Sequence, residues 1–291
     1  MNRDSLFENL GTEYELIHRS KYKQVYYVNH ERNSYYLKVY NTKKYDIYAL
    51  ERLNRLLMYN DIICPKIEIL SINEQYGLIR EEKCNGTCLA DVNDENLGKL
   101  MYSVGNRIAS LNLLRYENAE DIIPMWEYKT VCAIDIYENI FNYIDKYYLF
   151  EANDRLFYCK CKQMIEIDLK IEECHFSHND LNLFHIFSLN SKCSGLIDFD
   201  MLSKGGAHLN ISQAFFSIID TRFELYGKYL LAGYNDGMES YKKCSAEMIF
   251  SYLWVYLLWK ICVCINQNKK DALDYYTMKF HKLKKFKEDN K

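Results

Sequence analysis

Asp180, His185 and Asp198 carry the side chains that phosphoryl transfer asks for: one carboxylate to orient or deprotonate an attacking hydroxyl, and a second carboxylate with a neutral donor to hold divalent ions against phosphates. They lie within the stretch FSHNDLNLFHIFSLNSKCSGLIDFD, residues 176–200, where Asp180 follows His178 and Asn179 in a turn, His185 comes five residues later and Asp198 thirteen after that. The elements around them read as a hairpin. Leu183 to Ser188 is an extended apolar run, Asn190, Ser191, Lys192 and Ser194-Gly195 supply turn chemistry, and Leu196 to Phe199 returns as a second short strand. Strand alternation would then pack Ile197 and Phe199 inward and project Asp198 and Asp200 from the opposite face. A surface hairpin with solvated acids is the bland account, and the joint order and spacing of three residues weighs against it.

His178-Asn179-Asp180 with a ligand five residues after the aspartate, followed by Leu196-Ile197-Asp198-Phe199-Asp200, resembles the catalytic loop and metal-binding segment of the aminoglycoside phosphotransferase and choline kinase superfamily. Its members are small-molecule kinases with a protein-kinase-like fold. Most carry asparagine at the ligand position; His185 stands there in this chain, as in the variant of 2''-aminoglycoside and macrolide phosphotransferases. The resemblance implies an α+β, bilobal fold, with a small β-rich nucleotide-binding lobe over residues 1–83 and a larger, mainly α catalytic and substrate-binding lobe over 84–291. It further implies Asp180 as the base or orienting carboxylate, His178 as the brace of its turn, His185 and Asp198 as ligands of Mg²⁺, and ATP or GTP as co-substrate.

Such a fold needs an upstream strand lysine aimed at the nucleotide phosphates, and Tyr35 to Tyr40 presents Lys38 after another β-rich run at Gln24 to Val28, with Asn29 to Asn33 as the connecting turn. Tyr45 to Tyr59 then carries Ile47, Leu50, Leu53, Leu56 and Leu57 at near-helical spacing. Glu51 lies beside that stripe and is a candidate partner for Lys38, although an i,i+4 pair with Arg55 is as easily drawn. The first turn, Ile17 to Gln24, has no glycine to bring backbone amides to phosphate, leaving Ser20, Arg19, Lys21 and Lys23 as substitutes or as a wet hairpin tip. Gly77 to Gly86 resembles the strand entering the interlobe hinge, which makes Glu82 and Cys84 nucleobase-side positions.

The remainder reads as scaffold: helices over 97–114, 126–150, 155–169, 211–226 and 246–267, with a basic amphipathic helix over 269–291. Ile249 to Ile265 is apolar enough to suggest a membrane span, but Lys260 interrupts it and a buried helix is the expectation. No signal-peptide pattern opens the sequence, the eleven cysteines show no C-x-x-C, and reduced thiols in a cytoplasmic protein are expected. The formal charge of -3 argues against a nucleic-acid binder. The expected partners are a nucleoside triphosphate and a small hydroxyl acceptor, cationic like an aminoglycoside-type antibiotic or an amino alcohol such as choline, with Asp220, Glu224 and Glu239 as available acids. Two alternatives stand beside this reading. One is a spore-coat-associated kinase-like protein; the other is a degenerate kinase that binds nucleotide or a partner without turnover, since MLSKGGAHLNIS offers Asn210 near the place of the family's next aspartate.

Overall fold

The computed structural model describes residues 13–30, 33–170, 175–206 and 208–289. An antiparallel five-stranded sheet opens the chain, in the order β1-β2-β3-β5-β4: β1 Glu13–Arg19, β2 Lys23–His30, β3 Asn33–Asn41, β4 Ile67–Ile72 and β5 Tyr76–Glu82. Part of the expected turn between β2 and β3, Glu31 and Arg32, lies outside the described residues. Alternation along β3 gives the sheet two apolar faces. Leu37 joins Tyr26, Val28 and Leu78 on one face, while Tyr40 joins Tyr45, Ile47, Leu50 and Ile79 on the other. Lys38 pairs with Ile79 across the ladder and shares the second face.

Helix α1, Ile47–Tyr59, crosses that second face. It begins where the Asp46 carboxylate accepts the Ala49 N–H, and its Leu53 and Leu57 bury into the core of the helical half rather than into the sheet. Burial of each such leucine stabilises by about 1.5–3 kcal/mol, so α1 mechanically couples the two halves. Lys129 binds Asp46 at 2.7 Å and strengthens the same junction.

Beyond a short strand β6, Thr87–Cys88, the chain is mainly helical: α2 Leu97–Asn112, α3 Ala133–Tyr147, α4 Ala152–Leu169, α5 Leu209–Ile218, α6 Gly227–Gly237, α7 Ala246–Asn266 and α8 Lys270–Asp289. The helix expected over 126–150 is broken, because the Asp135 carboxylate captures the Cys132 N–H and starts α3 afresh at Ala133. The one expected over 211–226 stops at Ile218, where Asp220 turns left-handed and its N–H donates to Glu224. Helices α2 and α6 touch backbone to backbone: a β-carbon on Gly105 would collide with the Leu230 carbonyl, and one on Gly233 with that of Tyr102. Apolar α7 runs through this core, with Trp254, Val255, Leu257 and Leu258 wholly buried.

A buried polar knot ties α4, the start of α5 and α7. Asp168 accepts from His208 Nδ1 and, at 2.6 Å, from the Tyr252 hydroxyl, while His208 Nε2 meets the Lys242 carbonyl at 3.1 Å. Burial alone would lower the His208 pKa, but the hydrogen bond and charge of Asp168 outweigh it and raise it. A raised folded pKa makes the stabilisation complete below the ordinary histidine value of about 6.5 and lost as pH rises through the folded value. His208→Gln is therefore expected to lower the melting temperature by more at about pH 6 than at about pH 9, as thermal denaturation across that range would read.

Candidate active site

The turn carrying Asp180 follows β7, Phe176–Ser177, and is fixed from below. Asn210 in α5 accepts the His178 N–H at 2.8 Å and donates to the Phe176 carbonyl at 2.7 Å and to Asn112. Asn179, left-handed at φ 62°, donates from its amide to the Met201 carbonyl and the Ser203 hydroxyl, both at 2.7 Å. His178 is wholly buried, and burial holds its pKa down at about 4. The neutral ring donates Nε2–H to the Ile197 carbonyl at 2.8 Å, which ties this turn to the segment bearing Asp198.

That segment forms a hairpin, but with both strands shifted from those expected. Leu183–His185 is a single 3-10 turn, and the strands are β8, Ile186–Leu189, and β9, Lys192–Leu196. Asp198 stands past the end of β9 in the left-handed region, φ 65°, and Phe199 enters a second 3-10 turn. Asp198 and Asp200 converge through this turn rather than through strand alternation. Aspartate tolerates the left-handed region better than bulky residues because its short side chain finds local partners.

The three predicted residues come together. One ligand atom from each of Asp180, His185 and Asp198 lies within 4.8 Å of the others. His185 Nδ1 lies 2.6 Å from the Asp180 carbonyl, a distance that puts a proton on Nδ1, and Nε2 faces Asp198 Oδ2 at 3.7 Å. Two carboxylates and an imidazole nitrogen fit a divalent ion, Mg²⁺ through the oxygens and Mn²⁺ through all three.

Lys38 is buried on its strand and reaches the site, but its partner differs from the one expected. Its ammonium sits 2.8 Å from Glu81 and 3.5 Å from Asp198, whereas Glu51 binds Arg55 at 2.9 Å on the outer side of α1. The helix turns Glu51 away from the cleft, and β5 supplies the acid instead: Glu81 stands opposite Tyr36, on the same sheet face as Lys38. Desolvation opposes the Lys38 charge, yet Glu81 and Asp198 outweigh it and push the pKa well up. Lys23, at the first turn, is not a wet tip residue. Its ammonium lies 2.7 Å from Asp198 Oδ1 and 2.6 Å from Asp200 Oδ2, and Tyr40 donates to the other Asp200 oxygen at 2.9 Å. Lys38 and Lys23 hold the Asp198 carboxyl far below its usual range against the opposing effect of burial.

Two cavities meet at this cluster. One, of about 520 Å³, is lined by Lys23, Lys38, Glu82, Cys84, Asp180 and Asp198 among others. A second, of about 350 Å³, is walled by Tyr128, Tyr137, Phe216, Tyr256 and Trp259, and Asp180 lines it as well.

No protein-family model and no curated protein matches the chain. Solved structures do. The GDP and kanamycin complex of APH(2")-IIia superposes with a TM-score of 0.66 at 11% identity, covering 97% of this chain and 96% of the other. Aminoglycoside phosphotransferase APH(4)-Ia gives 0.63 at 11% identity over 96% of each chain. This chain has the aminoglycoside phosphotransferase fold. A ternary complex of a thermostable APH(4)-Ia mutant with AMP-PNP and hygromycin B gives 0.62 at 12% identity over 96% of each. Glu81 and Tyr40 also stand in the charged cluster, which the sequence did not lead one to expect, and Asp200, expected only to project beside Asp198, is bound within it. The acid on the strand adjoining the lysine strand was the available signal for Glu81.

Removing Glu81 leaves a buried ammonium short of its nearest counter-charge, at a cost of roughly 3 kcal/mol, while the exposed Glu51–Arg55 pair contributes about 0.3–0.5 kcal/mol. Glu81→Gln should therefore depress the melting temperature by several degrees and Glu51→Gln hardly at all, with equal losses in the two variants contradicting the assignment.

Proposed function

We propose that this protein is a kinase of small molecules, moving the terminal phosphate of ATP or GTP to a hydroxyl. The observation that carries the reading is the position of Asp180, on the wall shared by the charged cavity and the aromatic one. The charged cavity has the size and the cations for a triphosphate, with Lys38 steadied by Glu81 as a phosphate contact and Glu82 and Cys84 on the nucleobase side. The aromatic cavity takes the acceptor, so that its hydroxyl meets the Asp180 carboxylate. Asn182 donates to Asp180 Oδ1 at 3.1 Å and holds that carboxylate in orientation. His178 keeps the turn in place as a neutral brace. Asp198 and His185, with Asp180 beside them, would hold Mg²⁺, which when bound offsets phosphate charge. Catalysis then rests on alignment and electrostatics, both supplied by groups fixed before substrate arrives.

The acceptor follows from the second cavity's walls. Among the described residues Asp180 is the only acid that lines it, and the acids expected for a polycation are engaged elsewhere, Asp220 and Glu224 with Lys282 and Glu239 with Lys242. Aromatic rings around one carboxylate suit a compact alcohol with a single cationic centre, in the manner of an amino alcohol, because the ring faces attract one cation without needing further acids. The polycationic reading has its own support in the kanamycin and hygromycin B complexes of the structural neighbours.

Transfer of labelled γ-phosphate across amino alcohols, aminoglycosides and macrolides tests both. Phosphorylation of an amino alcohol, falling by about a hundredfold or more in Asp180→Asn and Asp198→Asn, is the expected result. Nucleotide binding without transfer to any acceptor would favour the non-catalytic reading.

A further inference from the structure

Asp198 presents its two oxygens to different partners. Oδ2 faces His185 on the side of the candidate ion site, while Oδ1 is taken by Lys23, whose ammonium also holds Asp200. Kinase sites with two divalent ions place both against the phosphates and share carboxylates between them. In this chain the gap between Asp198 Oδ1 and Asp200 Oδ2 is filled by a side-chain ammonium.

We propose, resting on the kinase reading above, that Lys23 is a built-in second cation: the site takes one divalent ion, and the Lys23 ammonium stands where a second would bind. The surroundings fix it there. The side chain is only 11% exposed, its residue begins β2 paired with Tyr40, and Tyr40 in turn anchors Asp200, so both oxygens of Asp200 are engaged. An ammonium donates three hydrogen bonds, and the two carboxylates use two of them. No other acceptor takes the third among the described residues, which leaves it for a phosphate oxygen in the cavity that Lys23 lines with Lys38.

The glycine-free first turn gives this residue its purpose. The Ser20 hydroxyl accepts the N–H groups of Tyr22 and Lys23 at 3.3 and 3.0 Å, and the Ser20 N–H donates to the Lys23 carbonyl at 2.8 Å. Those amides are spent within the turn and offer no cradle for phosphate. A side-chain cation therefore does there what free amides do in glycine-rich turns.

Counting bound ions tests this without recourse to activity. Mn²⁺ is titrated into the full chain saturated with AMP-PNP or GMP-PNP, whichever it binds, and followed by electron paramagnetic resonance of the free ion. The wild type should take up one Mn²⁺ per chain, Lys23→Arg one, and Lys23→Met two, the second entering between the vacated carboxylates. Two ions in the wild type overturn the proposal with no variant needed, and one ion in a folded Lys23→Met overturns it as well. Failure of the wild type to bind either AMP-PNP or GMP-PNP with Mn²⁺ would instead bring down the kinase reading, and this inference with it.

Discussion

Five charged side chains from four stretches of the chain are packed against one another, Lys38 and Asp200 buried and the other three largely so, and their mutual compensation is the constraint that organises the molecule. Lys23 comes from β2, Lys38 and Glu81 from paired strands, and Asp198 and Asp200 from the turn after β9. Each alone would pay heavily for leaving water, and only the opposite charges around it make the burial tolerable. The sheet and the helical half must therefore meet in one relative placement. Helix α1 enforces that placement from the apolar side, sending Leu53 and Leu57 into the far core while its first turns cover the sheet.

The catalytic turn is held to the same standard by polar rather than ionic means. Asn179 and Asp198 both sit in the left-handed region, a conformation that costs of order 1–3 kcal/mol for a residue with a side chain. His178, Asn179 and Asn210 offset that cost through hydrogen bonds linking the two turns, so that a change in one is felt in the other. Asn210 stands near the place where the family's aspartate was expected. Here the amide serves as acceptor for one backbone N–H and donor to a carbonyl and a neighbouring asparagine, a combination that a carboxylate could not supply.

The legible part of the sequence was the part with local periodicity or a fixed spacing. Asp180, His185 and Asp198 lie within twenty residues and converge as their order suggested, and the tyrosine-rich strand around Lys38 is a strand. What the sequence left hidden depends on contacts between distant segments. Glu51 and Glu81 are both acids near Lys38 in plausible registers, and only the pairing of β3 with β5 distinguishes them. Lys23 looked like one cation among three at a hairpin tip; its choice of Asp198 and Asp200 spans about 175 residues of chain. The rings of the aromatic cavity come from four stretches of the helical half, around Tyr128, Tyr137, Phe216 and Tyr252 to Trp259, none of which carries a signal of its own.

The account turns on whether a divalent ion and a nucleotide share the cleft with Asp198 and His185. Anomalous diffraction from crystals grown with Mn²⁺ and AMP-PNP addresses this most directly. A manganese peak within coordinating distance of an Asp198 oxygen and His185 Nε2, with the triphosphate against Lys38, is the predicted outcome. Manganese or triphosphate bound away from these side chains would contradict it.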